Sequence, residues 1–262
     1  MSGRLREIAR RTVEIAEAGC YETPSGRTMD IDVAGAVRET RCHEPGDSPR
    51  PSGSRAEPVV EVTAESTLEA ARRLAPDVAA LVFASAKNPG GGFLGGAQAQ
   101  EEAVARSSGL YPCLLTQPEF YAFHRAQGDL RYSDRVIHSP AVPVFRDDKG
   151  RLLEEPYEAS FLTSAAPNLG AVERNTPHLA ASVPEVLRRR AERVLTVAAA
   201  HGHRVLVLGA WGCGVFRNDP AVVAGAFAQG LAAVPYFDRV VFGIYGGGAA
   251  LEAFEGVFGG RD

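Results

Sequence analysis

The chain has 262 residues, 45% hydrophobic and 23% charged, too apolar for a disordered tail and long enough for one large domain or two small ones. Its 28 basic residues against 32 acidic ones exclude a protein whose affinity rests on a basic surplus that neutralises many phosphates. An anionic ligand would have to be held largely by backbone N–H groups and helix ends.

In chain order, residues 4–18 carry apolar side chains at Leu5, Ile8, Ala9, Thr12, Ile15 and Ala16, a helical period with Arg and Glu on the other face. Neither a secretory apolar region near the start nor a stretch of bilayer-spanning length is evident, so a soluble cytoplasmic protein is expected. Residues 42–58 are dense in Pro, Gly and Ser and predict a mobile connection. They divide an amino-terminal extension packed on the core, residues 1–57, from a main domain, residues 58–262. Strand-like segments then follow at 59–62, 78–84, 135–138, 142–146, 159–165, 204–208 and 239–244. Helix-like ones lie at 67–74, 98–109, 184–201 and 220–232. Apolar strands separated by helices predict a three-layer α/β/α sandwich, in which ligands gather beyond the carboxyl ends of the strands. Cys20, Cys42, Cys113 and Cys213 form no C-x-x-C pair and are expected as free thiols in a reducing compartment. His201-Gly-His203 is the one close histidine pair, without cysteine or carboxylate company in sequence, so no metal site is expected.

Two loops stand out, both after predicted strands. The first, Ser85-Ala-Lys-Asn88-Pro-Gly90-Gly91-Gly92-Phe-Leu-Gly-Gly-Ala-Gln-Ala-Gln100-Glu101-Glu102, has five glycines in seven residues, which are costly to order. Glycines without Cβ atoms let backbone N–H groups close around a ligand; a flexible surface turn is the alternative. The glutamates fall in the first turns of a helix. Adjacent side chains there point about 100° apart, so a matched dyad is not expected. One carboxyl would carry chemistry and the other orient substrate, unless both simply face solvent or offset the helix dipole.

The second loop, Gly209-Ala-Trp211-Gly212-Cys213-Gly214-Val215-Phe216-Arg-Asn-Asp219-Pro220, lacks the G-x-G-x-x-G and Gly-Lys-Ser/Thr fingerprints. Asp219 fits an N-cap and Pro220 the first helical position. The loop would make a nest for a pyrophosphate beside a helix end, or a plain strand-to-helix turn.

Gly90-Gly91-Gly92, a seven-residue spacer and Gln100-Glu101-Glu102 together resemble the signature of poly(ADP-ribose) glycohydrolases of the compact microbial type. Asn88-Pro89 and Gly-Ala-Trp-Gly-Cys-Gly-Val-Phe are similar to the same family. The likeness extends from Met29 to Ile244, least over 42–58, and implies a macrodomain fold with a mixed sheet. It implies that Gly212, Cys213, Gly214 and Val215 contact a diphosphate, that Phe216 packs on the ribose being cleaved, and that Tyr245 or Phe242 flanks the adenine or its ribose. Trp211 is expected as a core anchor, and Cys213 as a loop residue without nucleophilic role.

On that likeness the reaction is hydrolysis of ribose–ribose bonds, releasing ADP-ribose. Glu102 is the expected general acid and base. Glu101 and Gln100 are expected to hold the ribose hydroxyls and leaving sugar, and Asn88 to bond the distal ribose, inside the Gly90–Gly92 wrap. The expected partners are poly(ADP-ribose) or ADP-ribosylated proteins, with ADP-ribose as product ligand. No metal, cofactor, direct nucleic acid or membrane is expected. A hydrolase of single ADP-ribose units on protein and a non-catalytic ADP-ribose-binding macrodomain are the alternatives.

Overall fold

A computed structural model describes residues 2–47 and 54–259. Four elements lead into the core: α1 (Ser2–Ala18), a small hairpin of β1 (Cys20–Glu22) and β2 (Thr28–Asp30), and α2 (Val33–Glu39). Then come β3 (Arg41–His43), β4 (Val59–Thr63), α3 (Thr67–Leu74), β5 (Val78–Phe83), α4 (Gln100–Ser107), α5 (Leu110–Leu115) and α6 (Pro118–Ala126). The rest is β6 (Val136–Arg146), β7 (Leu152–Ser164), α7 (Leu169–Asn175), α8 (Val183–Ala200), β8 (Val205–Leu208), α9 (Pro220–Ala233), β9 (Arg239–Gly243) and α10 (Ala249–Phe258).

Seven strands form one mixed sheet in the order β3-β6-β7-β5-β8-β9-β4. The five strands β7, β5, β8, β9 and β4 are mutually parallel, and β6 runs antiparallel to both its neighbours. Period-two alternation sorts β5 onto two cores. Ala79 and Leu81 face one, with Val172 of α7, Leu187 of α8, Phe227 of α9 and Phe254 of α10. Val78, Ala80 and Val82 face the other, with Leu68 of α3, Val104 of α4, Leu110 of α5 and Phe120 of α6. The three layers expected from the sequence are therefore present.

Two strands read separately at 135–138 and 142–146 are one strand, β6. A register shift between Ser139 and Val142 interrupts it. There Pro140 lacks an N–H and Ala141 takes a φ of 46°, so the alternation breaks without ending the pairing. β7 begins earlier than residue 159. Its first half pairs with β6 beyond the body of the sheet, where Glu154, Glu155 and Pro156 obscure any strand pattern.

The amino-terminal segment is built into this body. Its β3 adds an edge strand to β6, and Ala9 of α1 packs with Phe93 and Ala105. Of the connection read at 42–58, residues 48–53 lie outside the described residues. On its near side Cys42 and His43 belong to β3. On its far side the Ala56 N–H donates to the Pro235 carbonyl.

Candidate active site

From β5 the chain continues to β7 on one side of the sheet, and β8 and β9 fill the other. Neighbouring connections thus leave β5 and β8 in opposite directions, the topology that opens a crevice at the strand ends. The glycine-glutamate loop follows β5 and the second glycine loop follows β8. Adjacent strands therefore bring together segments more than a hundred residues apart in sequence.

Gln100 sets the position of α4. The β5–β8 pairing ends at Ala80 and Val207, which leaves the β8-facing groups of Leu81 and Phe83 without a strand partner. The Gln100 amide supplies one: Nε2 donates to the Leu81 carbonyl (2.7 Å) and the Thr67 hydroxyl (3.1 Å), and Oε1 accepts from the Phe83 N–H (2.8 Å). Both amide protons are spent. Gln100 is a clamp that fastens the helix to the strand, because a sheet edge with open backbone groups claims its donors first.

Glu101 and Glu102 then project from the first turn of α4, whose N-cap residue, Ala99, offers no side-chain cap. Glu101 is buried, 3% exposed. One oxygen accepts the Ser85 N–H at 2.7 Å, and Oε1 has no hydrogen-bond partner. Burial, reinforced by the Glu102 charge, pushes the Glu101 carboxyl well above the usual carboxylate range, against the lowering pull of the Ser85 amide. Glu102 is half-buried. Its Oε1 accepts the Gly92 N–H at 2.9 Å, and its other oxygen has no protein partner among the described residues.

Gly91 explains the glycine run. Its φ is 60°, and a Cβ there would lie 2.3 Å from Glu102 Oε1 and 2.9 Å from Glu101 Oε2. A backbone without a side chain is thus wrapped against both carboxyls, and through it they converge although they leave the helix in different directions. Gly90, Gly91 and Gly92 surround the glutamates, and Asn88 is exposed at the start of the loop.

The second loop is fixed from below. Trp211 is buried and its Nε1 donates to the Ser164 carbonyl at 3.0 Å, the anchoring role expected of it. Asn218, which belongs to no motif read in the sequence, holds the turn closed. Its Nδ2 donates to the carbonyls of Pro167 (2.9 Å) and Gly212 (3.2 Å), and its backbone N–H donates to Gly212 as well. Gly212, at φ 72°, leaves no room for a Cβ, which would sit 2.5 Å from Asn218 Nδ2. Among the described residues the N–H groups of Gly212, Gly214, Val215 and Phe216 have no protein acceptor, so the turn presents a row of free amides. The end of α9 adds nothing to them: the Asp219 carboxylate caps it, accepting from Ala221 and Val222, and it lies outside the cleft. Cys213 has no base beside it, and burial pushes its thiol up to about 12.

Glu101, Glu102 and the Gly212–Phe216 turn line one cleft of about 810 Å³. Tyr245, 80% exposed, stands on its rim. Phe242 is fully buried and stacked on Phe258 at 4.4 Å, so of the two aromatics proposed beside the adenine it belongs to the core. Residues His43, His138, His201 and His203 gather where α8 ends beside β3 and β6. Among the described residues no group of three or more side chains is arranged to hold a metal ion.

An α/β/α body with a carboxyl pair and an amide-lined turn in one crevice defines a binding site for a phosphorylated sugar equipped for acid–base chemistry. Residues 9–147 match the family model of the microbial-type PARG catalytic domain, PARG being poly(ADP-ribose) glycohydrolase. The fold is similar to the crystal structure of PARG from Thermomonospora curvata, with a TM-score of 0.90 and 51% identity over 98% of this chain and 100% of that one. It is also similar to the same organism's enzyme bound to the inhibitor ADP-HPD, at TM-score 0.87 and 50% identity over 96% and 98% of the two chains. PARG from Deinococcus radiodurans in complex with ADP-ribose gives 0.80 and 45% over 86% and 96%. A search of curated proteins gave no match. The chain belongs to the microbial-type poly(ADP-ribose) glycohydrolase family.

Proposed function

We propose that the chain is a poly(ADP-ribose) glycohydrolase that cuts the ribose–ribose O-glycosidic bond and releases ADP-ribose. The observation that carries this is the single cleft shared by Glu102 and the free amides of the Gly212–Phe216 turn. The diphosphate of the terminal unit lies on those amides, which supply the recognition that an acidic protein cannot draw from a basic surplus. The ribose to be cleaved then sits against Phe216, between the turn and the glutamates, and the adenosine end lies toward Tyr245.

The bond breaks through an oxocarbenium-like transition state with a poor alkoxide leaving group. Glu102, the carboxyl with an oxygen not claimed by the protein, donates its proton to the departing ribose oxygen. As a carboxylate it then takes a proton from the attacking water. Glu101 stays neutral beside it and holds a ribose hydroxyl, and the substrate's own diphosphate steadies the developing positive charge. Poly(ADP-ribose) and proteins that carry it are the partners in this proposal. A cytoplasmic location belongs to it too, supported by four free cysteines. No helix among the described residues is long and apolar enough to cross a membrane.

The test is to incubate the protein with poly(ADP-ribose) and, separately, with a mono-ADP-ribosylated protein, and to separate the products. Free ADP-ribose from the polymer alone is the expected result. Release from the mono-modified protein alone, or from neither, would overturn the proposal.

A further inference from the structure

The cleft does not end at the glutamates. Leu68, Asp148 and Lys149 line both it and a smaller adjoining hollow of about 220 Å³, between α3 and the β6–β7 hairpin tip. Arg146, the last residue of β6, lines that hollow and is only 5% exposed. It donates Nε to the Thr12 hydroxyl and Nη1 to the Gly150 carbonyl, and no carboxylate pairs with it among the described residues. Burial lowers its pKa to about 10, with Arg11 adding to the effect, so it is still a cation at neutral pH. The neighbouring Asp147 carboxylate opposes that shift but is itself shared with Arg151, so the buried guanidinium keeps charge to offer a further anion.

The other charges around the hollow divide in the same sense. Asp147 is engaged by Arg151 and by the amides of Lys149 and Arg151. Asp148 accepts the Ser66 hydroxyl, and Glu69 accepts the Ser66 N–H in a capping box. Asp147 is thus neutralised by Arg151, while Asp148 and Glu69 are fixed on Ser66 and keep their charge. Arg72 on α3 and Lys149 at the hairpin tip are exposed and, like Arg146, have no acidic partner among the described residues.

We propose that this hollow, with Arg146 at its base and Arg72 and Lys149 at its mouth, is a second anion site that takes a diphosphate group. Its source is a further ADP-ribose unit of the same polymer, outside the unit bound at the amide turn. The proposal rests on the glycohydrolase reading for the identity of the polymer. The existence of the anion site does not depend on it. Two clusters of phosphate contacts on one continuous surface let an otherwise acidic protein favour a long polyanion over a short one.

The test compares wild type with Arg72→Glu and with the charge-preserving Arg72→Lys; Arg72 lies outside the catalytic cleft. KM is measured on fractionated polymers and on the shortest cleavable oligomer, at two salt concentrations, and inorganic pyrophosphate binding is titrated on the full-length proteins. For Arg72→Glu, KM on long polymer rises roughly three- to tenfold at low salt, with kcat and the shortest oligomer unaffected and Arg72→Lys near wild type. Pyrophosphate binding weakens in Arg72→Glu alone. A KM change equal at every length, or pyrophosphate binding unchanged by Arg72→Glu, overturns the site. Competition by an RNA of equal charge as strong as that by the polymer overturns the assigned occupant. A wild type that binds pyrophosphate at Arg72 but cleaves no polymer contradicts the glycohydrolase reading and leaves the anion site standing.

Discussion

At the scale of single residues, the two glutamates differ in what surrounds them more than in where they sit on the helix. Glu101 is enclosed, with one oxygen unpartnered and its pKa raised by burial. Glu102 meets the cleft. The unfolded chain releases the Glu101 proton near pH 4.3, whereas the folded one keeps it to higher pH. Between those limits the native state binds more protons than the unfolded state, so stability falls as pH rises. Glu101→Gln, which resembles the neutral carboxyl, is therefore expected to raise Tm at pH 7 relative to wild type, by an amount that shrinks toward pH 4. Thermal melts across that range check it, and a lower Tm at pH 7 would show that Glu101 is ionised. The glycine run and the acidic pair were legible in sequence because of their spacing after a strand; either one alone would have been a weak signal. That Gly91 serves the carboxyls at close quarters, and that Gln100 is consumed by β5, was not: both depend on where the β5–β8 pairing stops, which leaves no mark in the local pattern.

At the scale of elements, the parallel strands were legible from their continuous apolar runs, α8 from its apolar positions, and α9 from its Asp219 cap and Pro220 start. Short helices such as α2, α5 and α7, six or seven residues each, carry too little periodicity to find. The least legible relation is that α1 braces α4. The Thr12 hydroxyl donates to the Arg106 carbonyl of α4 at 2.7 Å and accepts from Arg146 Nε at 3.0 Å. Thr12→Val keeps the shape and leaves two buried polar groups unpaired. The expected cost is about 2 kcal/mol, with a Tm lower by several degrees in a melt and a reduced kcat on polymer. An unchanged Tm would remove α1 from the account of how α4 is held.

At the scale of the whole molecule, four of the six histidines gather where α8 ends beside β3 and β6. Nε2 atoms of His43 and His201 lie 2.8 Å apart, as do those of His138 and His203, and the His138 and His201 rings stack at 3.7 Å. Only His201 and His203 were close in sequence; β3 and β6 bring the others. Burial, then the neighbouring imidazoles, lowers His138 to about 2, and burial first lowers His203 to about 4. The unfolded chain takes up these protons below about pH 6.5 and the folded one resists them, so stability is lost as pH falls from there. Tm is expected to drop between pH 7 and 4.5, and less steeply in His203→Gln; parallel curves for the two proteins would contradict it. The molecule as a whole nevertheless stands or falls on the cleft. Its most direct measurement is Glu102→Gln, read twice on the same sample: ADP-ribose affinity by calorimetry and turnover of poly(ADP-ribose). Affinity within a few-fold of wild type together with a loss of at least ~100-fold in turnover is the predicted result. A loss of both in equal measure, or turnover left intact, would contradict it.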